Sequence, residues 1–154
     1  MEKVIDILIY LYRSYPNSNQ LSYSRTMKLI YLIEWRYCIT KFDKLTDIQW
    51  ILTQYGPYYS NLISIMQDSS NFEIETKFEA NNKQEVIIKF LNNKQILPLK
   101  EQTIEVINFV INHCSEMSWS ELNNLVNSTY GIVNSNINEV INIEHLAKKY
   151  KNVL

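Results

Sequence analysis

Residues 24–40 read Ser-Arg-Thr-Met-Lys-Leu-Ile-Tyr-Leu-Ile-Glu-Trp-Arg-Tyr-Cys-Ile-Thr, an apolar run interrupted only by Arg25, Lys28, Glu34 and Arg36 among charged residues. Such a run predicts a helix that is apolar almost all the way round, and a helix of that kind has to be packed on several sides. The remainder of the chain must therefore be built around it. Ser22 or Ser24 is placed to cap it by accepting an orphan backbone N–H.

The segments on either side supply the packing. Residues 3–14 read as a helix, with Val4, Ile5, Leu8, Leu11 and Tyr12 at helical spacing, and Pro16 ends it by disfavouring helical geometry at Tyr15. Gly56-Pro57 breaks the chain again, and Pro57 suits the first position of a helix running through Tyr58 to about Gln67, where its missing N–H costs nothing. Residues 72–79 alternate apolar and charged, and residues 85–91 are rich in β-branched side chains, which predicts an antiparallel hairpin turning at Asn81-Asn82. Alternation puts Phe72, Ile74, Thr76 and Phe78 on the buried face and Glu73, Glu75 and Lys77 in water. After Pro98 the helical period returns, with Ile104, Ile107, Val110 or Ile111, and Cys114 on one face. Ser118 and Glu121 form a capping-box pattern for a helix over 119–128. Residues 131–142 read as an irregular Asn-rich connection, and Asn142 caps a last helix to about Tyr150. The expected architecture is α+β: a mainly helical bundle around a buried central helix, with one antiparallel β-hairpin. At 154 residues, with no repeat or linker, a single domain over 1–154 is expected.

Composition narrows the chemistry. Formal net charge is −1, so no global cationic field gathers nucleic acid. Cys38 and Cys114 are isolated, without a CxxC pair or a spaced His cluster, which indicates neither a metal site nor a disulfide scaffold. The apolar stretch from Val4 to Tyr12 is too short for a bilayer span, so a soluble protein of the cytoplasm is expected. With two His, two Cys and two Gly, the chain shows no recognisable set of nucleophile, base and oxyanion donors and no phosphate-cradling loop. No cofactor is called for. His113 and His145 read as helix-terminal or surface residues. A helix-turn-helix over 101–128 would need Lys or Arg on its second helix, yet residues 119–128 carry Glu121 and no basic residue. Lys148, Lys149 and Lys151 read as a solvated helix face. What remains is a binding protein, not an enzyme.

Two features single out one region. Tyr55, Tyr58 and Tyr59 surround the Gly56-Pro57 turn, turns lie at surfaces, and tyrosine is enriched at binding hot spots. Lys28 is the odd polar member of an apolar helix, placed to run its stem along the core while its amine bonds a loop carbonyl. Lys28, Leu29 and Tyr31, then Leu45, Trp50, and Tyr55-Gly56-Pro57, followed by Ser128-Thr129-Tyr130 and by Asn142, Ile143, Leu146, Ala147 and Tyr150, together resemble the Panacea domain, the SocA-like antitoxin family. Two positions depart from that pattern: Gly131 stands where the Ser-Thr-Tyr segment usually continues with Pro, and Tyr58 where a small aliphatic residue is commoner. The resemblance implies an antitoxin of a type II toxin–antitoxin system that neutralises a cognate protein toxin by direct contact, on a fold often carried by phages and mobile elements. The partner-binding candidates are Trp50, Tyr55, Gly56, Pro57, Tyr58 and Tyr59.

Alternatives from the same resemblance are a phage or mobile-element factor that binds a host or defence protein, and an adaptor that delivers its toxin to a host protease. A DNA-binding regulator using residues 101–128 is a third class. Oligomeric state and the identity of the toxin have no signal in the sequence. Purified protein is expected to bind duplex DNA weakly or not at all at physiological salt; sequence-specific nanomolar binding in a gel-shift titration would restore the regulator reading.

Overall fold

The apolar run folds as one helix because its start is capped and its interior holds neither Gly nor Pro. Ser22 is extended, and its hydroxyl accepts the Arg25 N–H at 3.0 Å. The computed structural model describes residues 1–153. Among these the chain runs through α1 (Val4–Ser14), a 3₁₀ turn (Ser18–Gln20), α2 (Tyr23–Lys41), β1 (Ile51–Thr53), β2 (Gly56–Tyr58), α3 (Leu62–Gln67), β3 (Phe72–Phe78), β4 (Gln84–Phe90), α4 (Glu101–Cys114), α5 (Trp119–Ser128), α6 (Tyr130–Val133) and α7 (Ile143–Val153). The fold is α+β, with seven helices and two small antiparallel sheets among the described residues.

Helix α2 touches α4, α5, α7, β2 and β4, and its charged residues Arg25, Lys28 and Glu34 are buried along with its apolar ones. Burying such groups is costly unless they are hydrogen-bonded, and each finds its partners in a different connection. Arg25 donates from Nη2 to the carbonyls of Cys114 (3.0 Å) and Met117 (2.7 Å), fixing the α4–α5 turn, and from Nε to the Tyr15 hydroxyl. Glu34 accepts from Leu45 N–H (2.8 Å), Thr46 N–H (3.3 Å) and the Thr46 hydroxyl (2.7 Å), holding the loop that leaves α2. Burial pushes its carboxyl above the usual carboxylate range even though these three donors pull the other way. The Tyr31 hydroxyl pairs with that of Thr129 at 2.9 Å, tying α2 to the start of α6.

Four expectations need correction. A second hairpin, β1–β2, joins β3–β4, so the protein has two. Pro57 does not open a helix: it lies in β2 opposite Leu52, and α3 begins only at Leu62. Proline fits there because the N–H and C=O of Leu52 are turned away from β2, bonding Glu139 O (3.0 Å) and Asn138 N (2.7 Å). The facing pair is therefore not hydrogen-bonded across the hairpin, and the missing N–H breaks no ladder bond.

Phe78 is 77% exposed, although it shares a face with Phe72. Alternation sets the face, but burial also requires something packed over it. Phe72 has Tyr12 of α1 edge-on at 5.0 Å and Phe90 at 5.3 Å, whereas the tip of the hairpin stands clear. Ile74 and Thr76 are half-buried, and Glu73, Glu75 and Lys77 are exposed. Finally, the stretch after Thr129 is not all irregular, since α6 forms there. A Cβ on Gly131 would lie 2.8 Å from the Tyr31 hydroxyl and 3.1 Å from the Trp35 ring, so a side chain here would displace the groups of α2 that α6 packs against.

Replacing Glu34 by Leu puts a more apolar residue in a buried place, yet it is expected to destabilise the protein by about 3 kcal/mol or more. The Leu45 and Thr46 N–H groups would lose their acceptor inside the protein. Urea unfolding of the variant checks this; unchanged or higher stability would mean that the loop finds other acceptors.

Candidate functional site

The β1–β2 hairpin turns through Gln54 and Tyr55, with Thr53 paired to Gly56. Thr53 braces the turn from within, its hydroxyl donating to Gly56 O at 2.9 Å and accepting the Tyr55 N–H at 3.2 Å. Gly56 has φ of +111°, a conformation that side-chain-bearing residues rarely adopt. The turn is held from beneath by Lys28, whose Nζ donates to the Tyr55 carbonyl at 2.8 Å. This is the loop carbonyl that the sequence called for. The amine also occupies the space beside Gly56, where a Cβ would lie only 2.5 Å from Nζ. Lys28, Tyr55 and Gly56 thus form one unit, in which the missing side chain of the glycine makes room for the ammonium.

The six candidate contact residues divide by exposure. Trp50 is 1% exposed, edge-on to Tyr31 at 5.7 Å and tilted against Tyr59 at 6.2 Å. Gly56 and Pro57 are also buried, and Tyr59 is half-buried. These four shape the hairpin from below. Tyr55, 80% exposed, and Tyr58, 42% exposed, present their side chains to solvent.

Beside these tyrosines lies a mainly apolar groove of about 760 Å³. Its walls are the first turns of α2 (Tyr23, Ser24, Met27), the hairpin, Trp119 at the start of α5, and Ile137 with Asn138; Lys28 lies at its floor. The Lys28 ammonium is 5.5 Å from the Trp119 ring centroid, and burial lowers its pKa from the ordinary lysine value. Trp119 is 48% and Ile137 57% exposed, so both add apolar surface at the rim.

Trp119 and Ile137 are not among the residues that the sequence singled out. Helical periodicity places Trp119 on the same stripe as the buried Leu122 and Val126. It overhangs because it occupies the first position of α5, where the stripe runs past its neighbours. Ile137 carries no sequence signal. It arrives through pairing of its connection with β1, by the Leu52 bonds to 138 and 139 and by Ile141 N–H donating to Trp50 O at 2.8 Å.

Elsewhere several titratable residues are engaged in structure. His113 stacks on Phe109 with ring centroids 4.0 Å apart and bonds its carbonyl through Nδ1 at 2.9 Å. Cys38 and Cys114 are buried, and loss of solvent pushes the Cys114 thiol up to about 11. Lys148 pairs with Glu144 at 3.6 Å, and Lys151 lies 4.1 Å over the Phe42 ring. Among the described residues no cluster of His, Cys, Asp and Glu could hold a metal ion, and no helix is long and apolar enough to cross a membrane.

A family model described as "Antitoxin SocA-like, Panacea domain" matches residues 26–130, from the first turn of α2 to the start of α6. No curated protein and no solved structure matches the chain.

Gly56→Ala is expected to cost about 2 kcal/mol or more, from backbone strain at positive φ together with displacement of the ammonium from the Tyr55 carbonyl. The check is denaturant unfolding combined with the backbone amide shifts of residues 53–58. Native stability with unmoved shifts would mean that the turn accommodates a side chain freely.

Proposed function

The chain belongs to the SocA-like, Panacea-domain antitoxin family, and from that premise we propose that it is the antitoxin of a type II toxin–antitoxin pair, a single-domain cytoplasmic protein that neutralises its toxin by direct protein contact rather than by catalysis. The observation that carries the contact surface is the exposure of Tyr55 and Tyr58 on a hairpin braced from inside by Lys28, next to Trp119 and Ile137. Large amphipathic side chains on a rigid support contribute contact area at low entropic cost, which is what protein-binding hot spots require. Trp50, Gly56, Pro57 and Tyr59 serve this surface from beneath, as its frame.

Co-expression of the protein with the product of the adjacent gene tests this reading, growth rescue being the readout. Tyr58→Ala is expected to weaken toxin binding by about 2 kcal/mol or more with little change in melting temperature. Trp35→Ala should do the opposite: Trp35 is buried, it packs on Tyr150 at 5.9 Å, and truncation leaves a core cavity costing roughly 3–5 kcal/mol, with rescue lost only through unfolding. Full rescue by a folded Tyr58→Ala variant would move the contact face elsewhere, and absence of rescue by the wild-type chain would end the antitoxin reading for that gene pair.

A further inference from the structure

The groove beside the β1–β2 hairpin holds a cation without a counter-charge. Lys28 is 4% exposed, and of the three donors on its ammonium one goes to the Tyr55 carbonyl. Among the described residues no Asp or Glu lines the groove, and none forms an ion pair with Lys28. A buried charge in that condition is costly, and a carboxylate brought to it relieves the cost. The lowered pKa of the amine has the same origin in lost solvent. One helix N-terminus adds to the sign of the field: the first turn of α2, which carries no acidic residue, opens onto the groove, and helix starts carry partial positive charge, whereas the start of α5 already has the Glu121 carboxylate on the Ser118 N–H.

Much of the remaining lining is apolar, and the groove is far larger than a small anion needs: Met27, Pro57, Tyr58, Trp119 and Ile137 line it, with Ser24, Thr53, Gln54 and Asn138 between them. That combination suits a carboxylate borne on an apolar chain segment. A free chain terminus is a poorer fit, because terminal carboxylates are captured by nests of backbone N–H groups, and the backbone group beside Lys28 is a carbonyl. Building on the antitoxin reading, we propose that the groove receives one aspartate or glutamate side chain of the toxin, with the carboxylate on Lys28 and flanking apolar residues against Tyr58, Trp119 and Ile137.

A displayed library of random linear dodecapeptides, selected on the full chain, tests this without knowledge of the toxin. Enriched peptides are expected to carry an acidic residue between apolar ones, and a synthetic copy with the acid replaced by its amide should bind about tenfold more weakly or worse. Because Ile137 is exposed at the rim, a charge of either sign can be introduced there without touching the core. Ile137→Glu should weaken the selected peptide by about tenfold, while Ile137→Lys should leave it as tight or tighter, a sign difference that loss of apolar contact alone does not produce. No enrichment, enrichment of peptides without an acid, or equal weakening by both substitutions would overturn the proposal. Undiminished growth rescue by Ile137→Glu would also overturn it and leave the antitoxin reading standing, whereas failure of rescue by the wild-type chain would remove that reading and leave the groove chemistry to the peptide data.

Discussion

Hydrogen bonds from the buried polar side chains of α2 to the backbone of distant loops hold the structure in register. A helix without a wet face offers its neighbours little information about where along it to sit, because apolar contact is non-directional. Arg25, Lys28 and Glu34 supply that information. Each lies at a different height on α2 and bonds the backbone of a different loop: the α4–α5 turn, the β1–β2 turn and the connection after Lys41. Tyr31 adds a fourth tie, to Thr129. The loops have few ways to move without leaving a charged group unpartnered in the interior, where the penalty for an unmade bond exceeds the gain from a made one.

The same ties account for the sequence pattern by which the family is recognised. Lys28 and Tyr55-Gly56-Pro57 are separated in sequence but meet as one object, with the ammonium in the space a side chain at 56 would fill. Tyr31 meets both Trp50, edge-on, and Thr129. Leu45 lies in the loop that Glu34 holds and donates its own N–H to that carboxylate. The motif residues are thus two sides of contacts, and the signature is a description of how α2 binds its loops. Gly131 belongs to the same logic, as the position where α6 comes nearest to Tyr31 and Trp35.

Periodicity and capping chemistry made most helices legible from sequence, because they are local properties. Ser22, and Ser118 with Glu121, start their helices as read, and the alternating strands pair in the expected antiparallel sense. What was missed depends on distant residues. Pro57 has two uses, the first turn of a helix or the non-bonded position of an edge strand, and the second is the one compatible with residues 138–141, which take up the N–H and C=O of the facing Leu52. Phe78 was misplaced because alternation gives a direction without saying whether anything lies there. At the groove, Tyr55 and Tyr58 were visible through the turn, whereas Trp119 looks like core by spacing and Ile137 arrives only through tertiary pairing.

The proline in β2 has a bearing on how partners are met. With no N–H at Pro57, the outer edge of β2 lacks a donor where an incoming strand would need one, so the hairpin is a poor template for strand addition. Recognition there falls to side chains. On the contact surface proposed above, Tyr55, Tyr58, Trp119 and Ile137 present their side chains outward from a frame with a blunted backbone edge, while the residues that hold the frame, Lys28, Gly56 and Trp50, are buried. Under that proposal the rim side chains can be exchanged at little cost to the fold, whereas Lys28 cannot, because the amine offered to a partner is the one that braces the turn.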